Sequence, residues 1–136
     1  MALTQIKGEG LVSTYAIGSE GGAVTTSIQQ GVAKAWANLD GTGTIALRDS
    51  VNVGSATDNG NGDYTINFTN SMNNNDYSVP MSSGDSAKSY PRLTACGTNY
   101  DTGFATSSHG ITCLRADNGV IDDMEFVVSA VMGDLA

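Results

Sequence analysis

The segment TDNGNGDYTINFT, Thr57 to Thr69, constrains the fold more than any other part of the chain. Two aspartates, two asparagines and two glycines fill the six positions Asp58 to Asp63, and strict alternation follows. On an extended chain Tyr64, Ile66 and Phe68 point one way, while Thr65, Asn67 and Thr69 point the other. This pattern predicts a bend entering a strand with one buried face. Asn59-Gly60 matches the preferred hairpin pair and Asn61-Gly62 extends the connection. A helix–loop–helix calcium site would need oxygen ligands at its first, third and fifth positions and a Glu at its twelfth. Here Gly60 stands at the third, and no Glu follows before Glu125. A phosphate cradle would need a following helix, and a strand follows instead. The remaining alternative to a plain turn is an irregular cation site from Asp58, Asn61 and Asp63.

The rest of the chain extends the β reading. Charged residues make up 15% of the composition, against about 25% in a typical domain, and 17 glycines accompany many Ser, Thr and Asn. A strand from Val32, the turn Asp40-Gly41 and a strand around Thr44 to Arg48 form one hairpin. Tyr77, Val79 and Met81 alternate, and Pro80, which has no N–H for a ladder, places that strand at an edge or breaks it. RLTACGT and HGITCLRAD are strands around a long loop, Asn99 to Ser108. In DMEFVVSAVMG, Met124, Phe126, Val128, Ala130 and Met132 share one face, and the opposite face is also partly apolar, as a central or interface strand requires. The expected fold is all-β, an antiparallel sandwich or small barrel over residues 32–136. Residues 1–31 are too glycine-rich for a stable helix and read as an attachment arm, with a short helix allowed near Thr25–Lys34.

A net charge of −8 with six scattered cations, Lys7, Lys34, Arg48, Lys88, Arg92 and Arg115, argues against nucleic acid and anionic membranes as partners. The N-terminus lacks a signal-peptide pattern and no run suits a membrane span, so the expectation is a soluble protein made in a cytosol. Cys96 and Cys113 are read as buried, reduced thiols. Asn67-Phe68-Thr69 matches a glycosylation pattern by chance.

No catalytic, metal or cofactor site is expected. His109, next to Ser107 and Ser108, reads as an exposed loop histidine, and Asp122-Asp123 as solubilising charges at a strand end. Trp36, among Ala33, Ala35 and Ala37, reads as a core anchor. Tyr90, Asn99, Tyr100, Asp101 and Phe104, with His109, mix aromatic faces with amide and carboxylate edges. They are the candidate receptor contacts, and the chemistry suits a sugar.

The wording of the chain also resembles the C-terminal domains of tail-fibre and related receptor-binding virion proteins of tailed bacteriophages. The resemblance rests on KAWANLDGTGT (Lys34 to Thr44), RDSVNV (Arg48 to Val53), DNGNGDYTINF (Asp58 to Phe68), DYSV (Asp76 to Val79) and FVVSAVMG (Phe126 to Gly133). ALTQIKGEGL, Ala2 to Leu11, is similar to the lead-in of such fibres. It implies a homotrimeric, non-enzymatic virion component, assembled in host cytoplasm and displayed on the tail or capsid. Residues 1–31 would dock other virion proteins, and the tip would meet a host-surface glycan or protein. A sheet around a three-fold axis would account for apolar residues on both faces of Met124–Met132. The alternative is a capsid-decoration or head-fibre protein without a receptor role. Such fibres usually carry a long shaft ahead of this domain, where residues 1–31 stand here, and residues 83–110 match no named motif.

Overall fold

The structure is a computed structural model that describes residues 16–18, 25–27, 31–86, 90–97 and 103–136. The chain divides into two compact units, Met1–Val32 and Ala33–Ala136. In the first, β1 (Ala16–Gly18) and β2 (Thr25–Ser27) pair antiparallel, with Ala16 opposite Ser27. The start of the stretch open to a short helix is therefore strand.

The second unit consists of two antiparallel sheets. One has the order β4-β3-β11-β7, from β3 (Ala35–Asp40), β4 (Ala46–Val51), β7 (Met81–Gly84) and β11 (Phe126–Val131). The other has the order β5-β6-β10-β8, from β5 (Val53–Gly60), β6 (Asp63–Phe68), β8 (Arg92–Cys96) and β10 (Ser108–Arg115). The short β9 (Phe104–Ala105) pairs with the start of β10. Both sheets contribute to one core: Ala37, Leu39 and Val127 from the first pack with Tyr64, Ile66, Ile111 and Cys113 from the second. The arrangement is a β-sandwich.

In β6, Tyr64 and Ile66 are fully buried in the core as the sequence predicts, but the opposite face is covered too, with Asp63 at 2% and Thr65 at 8% exposure. The bend before it is displaced by two residues. Gly60 pairs with Asp63, so the hairpin loop is Asn61-Gly62, and Asn59 lies in β5 at a bulge. Gly62 (φ 64°) cannot be replaced without strain, since a Cβ would meet the Asp122 backbone oxygen at 2.6 Å. The oxygens proposed for a cation hold the turn: Asp58 Oδ1 accepts from Gly60 N at 3.0 Å, and Asp63 Oδ1 lies 3.4 Å from the Asn59 amide. Among the described residues no cluster of three His, Cys, Asp or Glu is arranged to hold a metal.

Pro80 stands between an isolated bridge, Ser78 to Met132, and β7, which is an edge strand. The break and the edge both follow from its missing N–H. β4 and β5 are separated only by Asn52, whose φ of 54° turns the chain from one sheet into the other. Asparagine tolerates this conformation. Its carboxamide also ties the corner, accepting from Asn70 N at 2.8 Å and donating to Asn70 O at 3.0 Å.

Three expectations are corrected. Trp36 is not in the core: Ala35, Ala37 and Leu39 are buried, and Trp36 faces outward between Val51 and Ala130. Volume explains the inversion, since the bulk comes from Tyr64, Met72 and Tyr77, and the alanines leave room for it. The loop after β3 turns at Gly43 (φ 63°), not at Asp40-Gly41. Gly41 is there for close approach, because a Cβ would lie 2.3 Å from the Tyr64 hydroxyl oxygen. Cys113 is buried, but Cys96, on edge strand β8, is exposed, and both are free.

Candidate functional site

The predicted contact residues separate. Asn99, Tyr100 and Asp101 lie outside the described residues. Phe104 and His109 belong to an inward-facing aromatic cluster. Phe104 meets Tyr77 edge-on at 5.0 Å, Tyr77 meets Phe68 at 6.0 Å, and Phe68 lies 5.5 Å from the His109 ring. His109 is 1% exposed, not a loop histidine. It pairs with Ile66, so the alternation of β10 turns it into the sandwich. There Nε2 lies 3.1 Å from Ser129 Oγ on β11, a bond joining the two sheets. Burial pulls the imidazole down to about 4, so it is neutral at pH 7. A residue so enclosed does not touch a surface ligand, and Ser129, itself 1% exposed, is no accessible nucleophile.

Tyr90 sits in a different setting. The Arg92 and Arg115 guanidinium carbons lie over its ring, 4.1 and 3.7 Å from the centre. The Tyr90 hydroxyl donates to Asp122 Oδ2 at 3.1 Å, and Arg92 Nη1 donates to the Tyr90 carbonyl. Register explains the gathering: β8 and β10 place Arg92 directly opposite Arg115. Arg115 Nη2 lies 3.3 Å from Asp117 Oδ2. Arg92 Nε and Nη2 and Arg115 Nε are buried without a hydrogen-bond partner among the described residues.

The third feature is the outer face of the β4-β3-β11-β7 sheet. Strand β11 sends Val127, Ser129 and Val131 inward and leaves Phe126, Val128 and Met132 on the surface at 37%, 38% and 37% exposure. Trp36 on β3 and Val51 on β4 continue the patch, because Ala130 pairs with Trp36 and Trp36 with Val51. Towards β7, Pro80, Ser82, Val128 and Ala130 line a depression of about 210 Å³. Charges stand at one end. Arg48 lies over the Phe126 ring at 4.4 Å, 2.6 Å from Asp40 and 4.0 Å from Glu125. The Thr42 hydroxyl, then Arg48, holds the Asp40 carboxyl down to about 2.

No protein-family model, characterised protein or solved structure matches the chain. No helix among the described residues is long and apolar enough to cross a membrane.

Sequence reasoning singled out Tyr90 but missed its two arginines. The signal was there in part: RLTAC and TCLRA run as near mirror images, and pairing leucine with leucine sets Arg92 against Arg115. The outer patch was half seen. The sequence shows apolar residues on both faces of β11, but its reading turns Trp36 inward.

Proposed function

We propose that this chain is a structural protein of a tailed-bacteriophage particle, a tail fibre or tail-associated knob that attaches to the host surface. Its sandwich assembles as a homotrimer through the outer face of the β4-β3-β11-β7 sheet, and residues 1–31 anchor it to other virion proteins. The observation that carries this reading is that face. Trp36, Val51, Val128 and Met132 form an apolar patch with Arg48, Asp40 and Glu125 at its margin, the core-and-rim pattern of a subunit interface. The patch runs along a central strand, where solvent exposure of such residues on a monomer is costly. The resemblance at Lys34 to Thr44 and Asp58 to Phe68 gives the virion context.

The reading assigns no catalysis. It is supported by the enclosure of His109 and Ser129, both 1% exposed. Three identical sites on one trimer bind a repeating host glycan together, so modest affinity per site suffices.

Size-exclusion chromatography with light scattering tests the assembly, with a mass three times that of the chain expected. A monomer at micromolar concentration sinks the reading. Antibody-labelled electron micrographs of intact particles test the location. Label on the tail supports adsorption, and label over the head shell replaces it with capsid decoration.

A further inference from the structure

The side chains around Tyr90 point to a ligand. Arg92 and Arg115 stand directly opposite each other on β8 and β10, and like charges in that position repel. The chain has only three arginines among 14 acidic residues, yet two of them share one ring. Stacking on Tyr90 offsets part of the repulsion and fixes the guanidinium planes. It does not satisfy their N–H groups. Buried donors without acceptors are rare in native proteins, and each one asks for an explanation.

The pattern of unpartnered atoms is specific. On Arg92, Nη1 is occupied by the Tyr90 carbonyl, whereas Nε and Nη2 are the orphans. Those two share one edge of the guanidinium, the edge that grips a carboxylate or phosphate through two parallel bonds. Arg115 adds a third donor through its orphaned Nε, while its Nη2 bonds Asp117. Among the described residues no acid bonds these three atoms. Asp122 accepts from the Tyr90 hydroxyl, and the Asp117 pair is exposed and therefore weak.

We propose that Arg92 and Arg115, gathered on Tyr90, bind a single oxyanion, a carboxylate or a phosphate, carried on a sugar. The oxyanion part stands on these side chains alone, and the sugar part rests on the host-surface reading above. Entry of the group pairs the fork of Arg92, engages Nε of Arg115 and neutralises the opposed charges. Asp117 competes with the ligand for Arg115.

The test is calorimetric titration of the full chain with galacturonate, galactose, glucose 6-phosphate, glucose and inorganic phosphate. The acidic sugars are expected to bind, with the neutral ones weaker by about tenfold or more, as the loss of a charge-assisted hydrogen bond implies. Arg92→Gln and Arg115→Gln should each weaken binding by about tenfold or more. Asp117→Asn should strengthen it by about two- to fivefold, and this gain does not depend on how a glutamine variant folds. Added sodium chloride should weaken binding throughout. Equal affinity for acidic and neutral sugars, or no gain from Asp117→Asn, overturns the proposal. Inorganic phosphate binding as tightly as glucose 6-phosphate overturns the sugar assignment. Assembly reads out separately: a monomer that binds galacturonate defeats the trimer and keeps this site, and a tail-mounted trimer indifferent to acidic sugars does the reverse.

Discussion

The two outer faces of the sandwich are built from the same kind of strand and could hardly differ more. On the β5-β6-β10-β8 sheet, polar side chains bond one another across the strands. The Asn67 amide donates to Ser55 Oγ at 3.2 Å and Thr57 Oγ1 at 3.0 Å, and the Asn59 amide to Thr65 Oγ1 at 2.9 Å. Where that face is buried, at Asp63, Thr65 and Thr112, the covered side chains are polar. On the β4-β3-β11-β7 sheet the same positions hold Trp36, Val51, Val128, Ala130 and Met132. A strand needs one apolar face to fold, and here a second one stands on the surface. The contrast is what the proposed assembly rests on.

The largest blow to both faces comes from what lies between them. Gly41→Ala pushes a methyl group to 2.3 Å from the Tyr64 hydroxyl oxygen, which sits 3.0 Å from the Gly41 carbonyl and 2.9 Å from Asp123 Oδ1. The expected loss is about 3 kcal/mol in urea denaturation, the upper end of overpacking costs, with assembly and folding failing together.

Acid should act at the same interior with similar size. His109 titrates at 6.5 when unfolded and about 4 when folded. The unfolded chain takes the proton first, so stability is full above pH 6.5, falls as pH drops, and levels below about 4. The total is about 3 kcal/mol. Urea melts at pH 7, 5.5 and 4 should show this fall, and His109→Gln should flatten it. A slope unchanged in the variant would assign it elsewhere. Asp40, held down to about 2, keeps its contribution above pH 3.8 and loses it only as pH falls towards 2.

The comparison itself breaks or holds on Val128→Asp. Val128 is 38% exposed, so the monomer should fold, but a charge at the centre of the patch should cost about 2 kcal/mol or more per subunit in association. Light scattering would show smaller particles that still melt in one cooperative transition, at a temperature lowered by the lost association. Loss of folding instead would mean that the face supports the monomer. The smallest effect is expected opposite: Asn67→Ala removes two exposed hydrogen bonds, costs about 1 kcal/mol in a thermal melt, and leaves the assembled mass unchanged.

What was legible in the sequence was whatever local chemistry decides alone. Alternation placed Tyr64 and Ile66 inward, and the missing N–H of Pro80 broke the strand at the edge. What was not legible was parity. In KAWAN both alternating sets are apolar, so periodicity does not say whether Trp36 or its alanines turn inward; the volume of Tyr64 across the core decides. His109 reads as a loop residue beside Ser107 and Ser108, yet pairing with Ile66 carries it into the sandwich. Arg92 and Arg115 meet only through the register of two distant segments. The candidate site was thus seen at one residue, Tyr90, and the rest depended on long-range pairing.

That dependence has a consequence in time. Strands β3 and β11 come first and last in the sandwich, yet they are neighbours in the middle of one sheet, with Ala37 opposite Ser129. A ribosome must therefore deliver nearly the whole domain before the sticky surface comes into being. Until then a half-made copy lacks the completed face, so under the proposed assembly nascent chains on one message would not associate through it.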